Sequence, residues 1–356
     1  MTPVRIGALV PLSRPGWTDA GENVLAGLEL AVSEINESGG IGGRAIEIVV
    51  RDTAADPKRA VAAMDEFAAM GVTATVGEYH SVVARDAAAR ADAIGMPFLC
   101  TSAVLDALTE NPSDWVARLA PVQSRGWRIF ADYLLDAGYR AVAVAADASV
   151  YWSAGTQILR DRFQSRGGDV RVFETATTPP DAICGRIAEH GATALILLLG
   201  CPDPAVAYVR SVRRDPRTAG ILLGAPAGQP EFPGWAAQLG EEGAGIPFLR
   251  YLPEQMPPSG QRVGAALRQR LGGEPSFTAF EGYDAVLVLA SMIGAHGPDR
   301  QALAGAWSAV DVEGTRGRIR FSRVPGVSVW QWDWPPIQIA DRDLADPTRF
   351  RLLQAG

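Results

Sequence analysis

The chain has 356 residues, of which 47% are hydrophobic and 21% are charged. That length favours two globular lobes, and that composition excludes wholesale disorder. The 33 basic and 40 acidic residues leave a formal charge of -7, which gives no general attraction for nucleic acid or an anionic membrane surface. Residues 194–200 form the longest nearly continuous apolar stretch, far short of the roughly 18 residues that a membrane span needs. Neither nucleic-acid binding nor direct membrane insertion is expected.

Reactive side chains are scarce. Lys58 is the single lysine, and no glycine-rich loop precedes it, which excludes Schiff-base chemistry, pyridoxal phosphate binding and a phosphate-binding loop. The three cysteines have no C-x-x-C spacing, and the three histidines lie far apart in the sequence. The sequence therefore predicts no disulfide-stapled scaffold, no metal site and no cofactor.

The N-terminal residues run directly into a predicted strand. They lack the charged leader, apolar stretch and small-residue cleavage site of a secretory signal. We therefore expect a cytoplasmic protein if Met1 is the native start. If a signal peptide was removed and Met1 was added in its place, we expect a periplasmic or otherwise extracytoplasmic protein.

Strand and helix patterns alternate over the first hundred residues. Apolar periodicity predicts strands at 4–10, 45–50, 73–77 and 97–100, and helices at 24–35, 57–70 and 82–94. Such strict alternation requires right-handed crossovers and a parallel sheet that is covered on both faces.

A second set of alternating patterns begins after residue 121. It predicts helices at 124–137, 153–166, 181–190 and 204–214, and strands at 141–146, 170–174, 194–199 and 220–224. After about residue 246 the pattern is mixed, with one long helix at 282–295. The sequence therefore predicts an α/β fold of two Rossmann-like lobes with parallel sheets, and a C-terminal part that adds to both lobes.

Three motifs that could indicate catalysis have simpler structural explanations. Residues 40–45 match G-x-G-x-x-A, but they follow a helix and precede a strand, which is the reverse of a dinucleotide-binding turn. His80 and Ser81 are adjacent but lack a nucleophile elbow, and Asp56 before Pro57 is predicted to cap a helix. Because no nucleophile, base and orienting group come together, the motifs do not favour an enzyme.

Aromatic and hydroxyl side chains follow the predicted strands. In open α/β sheets, small ligands bind at the carboxyl ends of the strands. The residues at these ends include Trp17, Tyr79, Ser81, Thr101, Ser102, Tyr151 and Trp152. They predict a cleft between the lobes for a small, partly apolar molecule. The alternative for Trp17, Tyr151 and Trp152 is ordinary local packing, since aromatic rings bury a large area wherever they lie.

Two further features are open to more than one interpretation. Cys201 lies in a predicted cleft loop, or it is simply a small buried hydrophobe. Trp330, Trp332 and Trp334 alternate in sequence and are predicted to share one strand face, which favours a core or interface over a ligand wall.

Several stretches together closely resemble the type I periplasmic binding proteins, in the branch that binds leucine, isoleucine and valine. The stretches are 6–13 (IGALVPLS), 27–36 (GLELAVSEIN), 39–44 (GGIGGR), 51–52, 56–57, 118–121 (RLAP) and 282–285 (GYDA). The likeness extends over nearly the whole chain. Residues 76–81 (VGEYHS) are also similar to the cytoplasmic amide sensor of amidase operons.

The resemblance implies a Venus-flytrap architecture of two lobes that are joined by three crossovers and close on a ligand by hinge motion. The crossovers are expected near 119–121, 245–251 and 321–329. The expected divisions are residues 1–120 plus 252–324 for lobe 1, 121–251 plus 325–342 for lobe 2, and 343–356 for a C-terminal tail.

The resemblance also implies ligand-binding positions. In amino-acid binders of this family, the positions matching Ser81 and Ser102-Ala103-Val104 hold the ligand carboxylate, and the aromatic matching Tyr151 covers the ligand. The position matching Cys201 is often tyrosine, and an acidic residue near Pro226 takes the ammonium. Here Val104 replaces the usual threonine and Pro226-Ala227 replaces the usual glutamate. Because an unpaired buried ammonium is costly, a neutral amide, a small carboxylate or an aromatic acid suits these residues better than an ordinary α-amino acid.

The function expected from this resemblance is delivery of a small organic solute to an ABC-type importer, with an ABC permease as partner and a monomer or weak dimer as the assembly. The alternative is a cytoplasmic amide-type sensor that regulates a partner protein. An enzyme is the third possibility.

Overall fold

The computed structural model describes residues 2–355. The chain divides into two compact units. Unit 1 comprises Met1–Val122 and Tyr251–Pro336, and unit 2 comprises Gln123–Arg250 and Ile337–Gly356. The chain therefore passes three times between the units, as the family resemblance implies.

The first part of unit 1 alternates strands with helices as predicted through residue 100, and then adds a strand at 116–118 that the sequence did not predict. Its elements are β1 (Val4–Val10), α1 (Thr18–Glu37), β2 (Ile46–Asp52), α2 (Pro57–Ala69), β3 (Ala74–Gly77), α3 (Ser81–Ile94), β4 (Phe98–Cys100) and β5 (Val116–Arg118). The Asp56 side chain accepts a hydrogen bond of 2.8 Å from the Lys58 N–H, which caps α2. Residues 40–45 form a turn after α1. Gly40 has φ +73° there, and an added Cβ would overlap the Arg44 carbonyl.

Unit 2 repeats this alternation. Its elements are α4 (Gln123–Asp136), β6 (Ala141–Ala146), α5 (Val150–Ser165), β7 (Asp169–Glu174), α6 (Pro180–His190), β8 (Ala194–Leu198), α7 (Ala205–Arg214), β9 (Leu222–Gly224), α8 (Pro233–Leu239) and β10 (Phe248–Arg250). The strands β7, β6, β8 and β9 form a parallel sheet in that order. Every residue of β8 is buried, because helices cover both faces of such a sheet.

The chain then returns to unit 1. This part contains α9 (Pro258–Leu271), α10 (Phe277–His296), α11 (Arg300–Ala304), β11 (Val312–Glu313), β12 (Arg318–Ile319), β13 (Phe321–Arg323) and β14 (Trp330–Trp332). Within the described residues, the main sheet of unit 1 has seven strands in the order β13-β14-β5-β4-β3-β1-β2. Only β13–β14 is an antiparallel pair in this sheet. The prediction of an α/β fold with mostly parallel sheets is confirmed.

The helix α10 is long and apolar enough to span a membrane, but most of it is buried inside the protein. It packs against α1 at two glycines. A Cβ on Gly27 would overlap the Ala279 carbonyl, and a Cβ on Gly282 would overlap the Val24 carbonyl. This close backbone approach, together with the burial, is typical of a core helix.

The last strands complete unit 2. The elements are β15 (Gln338–Arg342) and β16 (Phe350–Ala355), which form an antiparallel sheet with β10. Arg342 is buried, and it donates to the Pro230 carbonyl at 2.6 Å while its guanidinium lies 4.7 Å from the Phe350 ring centroid. Residues 343–355 are therefore part of unit 2, whereas the sequence assigned 343–356 to a separate tail.

The third passage between the units also differs from its expected place near 321–329. The sequence assigned residues 325–342 to lobe 2, but Trp330 pairs with Ala117 and Gln331 with Arg118 in the sheet of unit 1. The passage lies between Pro336 and Ile337. The three alternating tryptophans do not all share a strand face, because β14 ends at Trp332 and Trp334 is 79% exposed. Pro335 and Pro336 cannot continue a strand ladder.

Candidate functional site

The carboxyl edge of the unit 1 sheet brings several predicted site residues together. Strand β3 pairs with both β1 and β4, so the segments that follow these strands start at the same edge. These segments carry Trp17, Tyr79, Ser81, and the run from Thr101 to Val104. Trp17 and Tyr79 are half-buried, and their ring centroids are 5.4 Å apart.

A buried carboxylate holds the loop after β3. Glu78 is 1% exposed. Its oxygens accept hydrogen bonds from the Thr53 hydroxyl at 2.6 Å, the Tyr79 N–H at 2.8 Å and the His80 N–H at 2.9 Å. These bonds orient Tyr79 and His80 from inside the unit. The sequence analysis did not assign Glu78 a role, although an acidic residue directly after an apolar strand is the signal that could have found it.

His80 links this loop to the loop after β1. Its Nδ1 lies 3.2 Å from Glu78 Oε1, and its Nε2 accepts a hydrogen bond of 3.4 Å from the Trp17 N–H. The network therefore assigns the proton to Nδ1, which donates to Glu78. Because both ring nitrogens are engaged, His80 is not placed to act as a base for Ser81.

Ser81 joins α3 to the segment after β4. Its Oγ accepts hydrogen bonds from the Val104 N–H at 3.2 Å and the Leu105 N–H at 3.3 Å. Ser81 is 7% exposed. Within residues 2–355, no acceptor lies within hydrogen-bonding distance of its hydroxyl proton. The Ser81 hydroxyl is therefore able to donate to an incoming group.

Ser102 acts as a hydrogen-bond donor, whereas Ser81 acts as an acceptor. Its hydroxyl donates to the carboxylate of Glu281 on α10, and its Oγ lies 3.2 Å from Thr101 Oγ1. Glu281 is fully buried, and its Oε1 accepts from Arg316 Nη1 at 3.1 Å. Burial raises the pKa of Glu281 to about 7, and the Arg316 charge opposes that shift.

Arg316 is the centre of the buried charged cluster behind Ser102. Its Nε lies 3.0 Å from Asp284 Oδ2, and its guanidinium lies 5.0 Å from the Trp332 ring centroid. Asp284 also accepts a hydrogen bond of 2.6 Å from the Thr315 N–H. This cluster could not be predicted from local sequence patterns, because its members are far from Ser102 in the chain.

A second buried arginine lies at the end of β5. Arg118 Nε donates to Gln331 Oε1 at 2.8 Å, and Nη1 donates to the Leu105 carbonyl at 2.5 Å. Arg118 has no solvent exposure, and this burial lowers its pKa. The Leu105 backbone is thus held on its carbonyl side by Arg118 and on its N–H side by Ser81.

In unit 2, Tyr151 and Trp152 lie at the start of α5, in the segment after β6. The Ser149 hydroxyl caps this helix by accepting from the Trp152 N–H at 3.1 Å. The two aromatic rings are 4.6 Å apart, and both contact the Trp127 ring, with centroid distances of 5.8 and 6.4 Å. Burial raises the pKa of Tyr151. Trp127 is fully buried and had no assigned role in the sequence analysis.

The other two predicted positions in unit 2 are largely apolar. Cys201 is half-buried and packs against the hydrophobic core that contains Leu197 and Leu199. Pro226 is buried after β9. The nearby amide of Gln229 donates to the Leu199 carbonyl at 3.1 Å, so it stabilises the end of β8.

No group of three or more histidine, cysteine, aspartate or glutamate side chains able to hold a metal ion occurs in the described part of the chain. The site in unit 1 instead consists of two serine hydroxyls, two aromatic rings and the buried groups that orient them.

The comparisons with known proteins agree with this fold. Residues 3–327 match the family model described as periplasmic binding protein. The chain is 29% identical over 182 residues to the Leu/Ile/Val-binding protein homolog 3 of Brucella melitensis, an alignment that covers 50% of this chain and 48% of that protein. The alignments with this protein and with other curated Leu/Ile/Val-binding relatives cover between 21% and 48% of the relatives' own length.

Solved structures match the chain over almost its full length. A leucine-binding protein, LivK, from Thermotoga maritima has a TM-score of 0.84 at 19% identity, covering 99% of this chain and 98% of that one. A solute-binding protein of an ABC transporter from R. palustris, solved with benzoate, has a TM-score of 0.82 at 20% identity, covering 99% of this chain and 96% of that one. These similar proteins are binding proteins rather than enzymes.

Proposed function

Because the chain belongs to the periplasmic binding protein family, we propose that it binds a small organic solute and delivers it to an ABC-type importer. One observation carries this proposal. The Ser81 and Ser102 hydroxyls lie at the same edge of the unit 1 sheet as the Trp17 and Tyr79 rings. The proposed partner is an ABC permease, and the proposed location is the extracytoplasmic space where such importers take up solutes.

The polar end of the solute is proposed to bind at Ser81 and the segment from Thr101 to Val104. Two facts support this position. The Ser81 hydroxyl proton is available, and the Ser81 oxygen is fixed by two backbone N–H groups. A hydroxyl that is already held in place loses little rotational freedom when it bonds a ligand.

The apolar body of the solute is proposed to contact the aromatic rings of unit 1. The backbone N–H groups of Trp17 and Tyr79 are bonded to His80 and Glu78, and the two half-buried rings lie 5.4 Å apart as an apolar surface. Tyr151 and Trp152 form a second aromatic surface, in unit 2, for which we also propose a ligand contact. Each surface is tested by its own substitutions.

An α-amino acid is not the proposed solute. Pro226 supplies no carboxylate, and the acidic residue that follows it in the chain, Glu231, is engaged in an ion pair with Arg250 at 2.6 Å. A buried ammonium therefore has no evident partner in this segment, and a buried unpaired charge costs several kcal/mol. An uncharged amide, a small carboxylate or an aromatic acid is the better candidate.

The first experiment is mass spectrometry of the native protein, followed by denaturing extraction of whatever molecule it carries. Calorimetry then measures binding of that molecule and of a fixed panel: butyramide, butyrate, benzamide, benzoate and leucine. The proposal expects a co-purified small solute, or binding of at least one amide or carboxylate in the panel, without its chemical conversion. Turnover of a bound compound would overturn it, as would the absence of both a carried solute and any binding from the panel.

A further inference from the structure

We propose that Glu281 is a positioning residue that fixes the direction of the Ser102 hydroxyl, so that unit 1 selects a ligand with a hydrogen-bond donor beside an acceptor. A primary carboxamide has this arrangement, and a carboxylate of the same shape does not. This inference rests on the proposed function and names the polar group that the site prefers.

The Ser102 hydroxyl has one proton, and the structure commits it. It donates to Oε2 of Glu281, while the other carboxylate oxygen, Oε1, accepts from Arg316 at 3.1 Å. When Glu281 is ionised, its two oxygens are acceptors only. The Ser102 oxygen is therefore left as an acceptor, since its single proton goes to Glu281 and cannot also serve the longer 3.2 Å contact with Thr101 Oγ1.

The Glu281 carboxylate is itself held in place. Arg316 is bound by Asp284 at 3.0 Å and by the Tyr251 carbonyl at 3.2 Å, and its guanidinium lies over the Trp332 ring. The side chains of Glu281, Asp284 and Arg316 have no solvent exposure. Rearranging this cluster would leave buried charges without partners, so the polarity of Ser102 is fixed before a ligand arrives.

Ser81 presents the complementary polarity on the adjacent strand. Its oxygen accepts from the Val104 and Leu105 N–H groups, and its proton is available to donate. Ser81 follows β3 and Ser102 follows β4, and the last residues of these strands, Gly77 and Cys100, are paired. The edge therefore carries a donor hydroxyl and an acceptor hydroxyl in neighbouring segments.

The chemistry of the two ligand classes follows from this polarity. A carboxamide accepts from Ser81 through its oxygen and donates to Ser102 through its NH₂ group. A carboxylate has only acceptors, so its second oxygen would face the lone pairs of Ser102. Because a buried polar group without a partner is penalised, we expect a tenfold to hundredfold preference for the amide, roughly.

The test measures the amide-to-carboxylate affinity ratio by calorimetry at pH 8, with butyramide against butyrate and benzamide against benzoate. In Glu281→Gln, the amide oxygen of the new side chain would still face Arg316. The amide NH₂ group of the same side chain would then donate to Ser102. The Ser102 proton would then turn toward the ligand, and we expect the ratio to fall at least about tenfold. Ser102→Ala removes the acceptor and should abolish the preference. Glu274→Gln, at an exposed ion pair with Arg268, is the matched control and should leave the ratio unchanged.

The outcomes separate this inference from the proposed function. If the wild type binds panel compounds but does not prefer the amides, or if Ser102→Ala keeps the wild-type ratio, the inference is overturned while the proposed function stands. If the wild type carries no solute and binds no panel compound, both fail. Should Glu281→Gln not fold, the Ser102→Ala ratio decides the question alone.

Discussion

Two serines that each follow a strand and lie at the start of a helix, one in each unit, are used differently. Ser149 lies at the start of α5 and caps that helix by accepting from the Trp152 N–H. Ser81 is the first residue of α3 but does not cap it; its oxygen accepts instead from Val104 and Leu105, after the next strand. The first serine stabilises its own helix, whereas the second joins two loops at a sheet edge. Ser81 is therefore the candidate ligand contact of the two, because its own helix does not use its oxygen.

The same contrast extends to the surroundings of the two serines. Behind the unit 1 edge lie the buried side chains of Glu78, Glu281 and Arg316, which hold the backbone after β3 and the direction of the Ser102 hydroxyl. Behind the unit 2 edge lies the Trp127 ring, which supports Tyr151 and Trp152 by packing. We infer that unit 1 provides directional polar recognition and unit 2 provides apolar area.

The largest expected effect is a loss of stability on substitution of two close-packed glycines, one in each unit. In Gly27→Ala of unit 1, the new methyl group would meet the Ala279 backbone, which cannot move without displacing α10. In Gly155→Ala of unit 2, it would meet the outer edge of the Trp127 ring, which is side chain rather than backbone. We expect losses of about 3 kcal/mol for the first and about 1–2 kcal/mol for the second, within the range for overpacking. Urea unfolding measures both, and a larger loss for Gly155→Ala would contradict the comparison.

The second prediction concerns the pH dependence of stability, which should have opposite sign in the two units. Burial raises the pKa of Glu281 to about 7, so the stability it contributes is full below the unfolded pKa near 4.5 and is lost as pH rises through 7. In unit 2, hydrogen bonds and ion pairs with Arg162 and Arg166 outweigh desolvation and lower the pKa of Asp132. Its contribution is present above pH 3.8 and is lost as pH falls.

Urea unfolding between pH 3 and pH 8 checks both signs. Relative to Glu281→Gln, the free energy of unfolding of the wild type should fall by at most about 3 kcal/mol between pH 4.5 and pH 8. Relative to Asp132→Asn, it should lose stability below about pH 4. If the free energy of unfolding of the wild type, relative to Glu281→Gln, instead grows with pH, then the Arg316 charge rather than burial determines the direction of the Glu281 pKa shift.

The third prediction separates the two serines. Ser81→Ala removes a ligand hydrogen bond and leaves two backbone N–H groups without their acceptor, so binding of the preferred panel compound should weaken about tenfold to hundredfold. Ser149→Ala removes a helix cap, which should cost about 1 kcal/mol of stability and change affinity less than about threefold. Calorimetry and urea unfolding on both variants give the four values. Equal effects on affinity would remove the distinction between the serines.

The sequence predicted the scaffold and the segments at the strand ends, because alternation and capping are local signals. Asp56 before Pro57 marks the start of α2, and the apolar run before Glu78 marks β3. It did not predict the groups that orient the site. Ser102 and Glu281 are 179 positions apart, and no local periodicity couples a loop serine to a helix glutamate.

The C-terminal region was also beyond local signals. The sequence assigned residues 343–356 to a C-terminal tail. Their place in unit 2 depends on Arg342, which binds the Pro347 carbonyl at 2.8 Å, and on Phe350, which stacks with that guanidinium. The Arg342 bond to the Pro230 carbonyl, 112 positions away, is long-range, and no local sequence pattern signals it.

The smallest expected effect is at Tyr151. If unit 2 contributes apolar area, the ring matters and the hydroxyl does not. Tyr151→Ala should weaken benzamide binding about tenfold, because the ligand contact that we propose for this ring would be lost. Tyr151→Phe keeps the ring and the contacts with Trp127 and Trp152, so affinity should stay within about threefold of wild type. Calorimetry with benzamide and butyramide checks this, and the Tyr151→Ala loss should be greater for benzamide, which has the larger apolar body. Equal losses in Tyr151→Phe and Tyr151→Ala would instead assign the hydroxyl a direct hydrogen bond to the ligand, and unit 2 would then share the polar recognition that we attribute to unit 1.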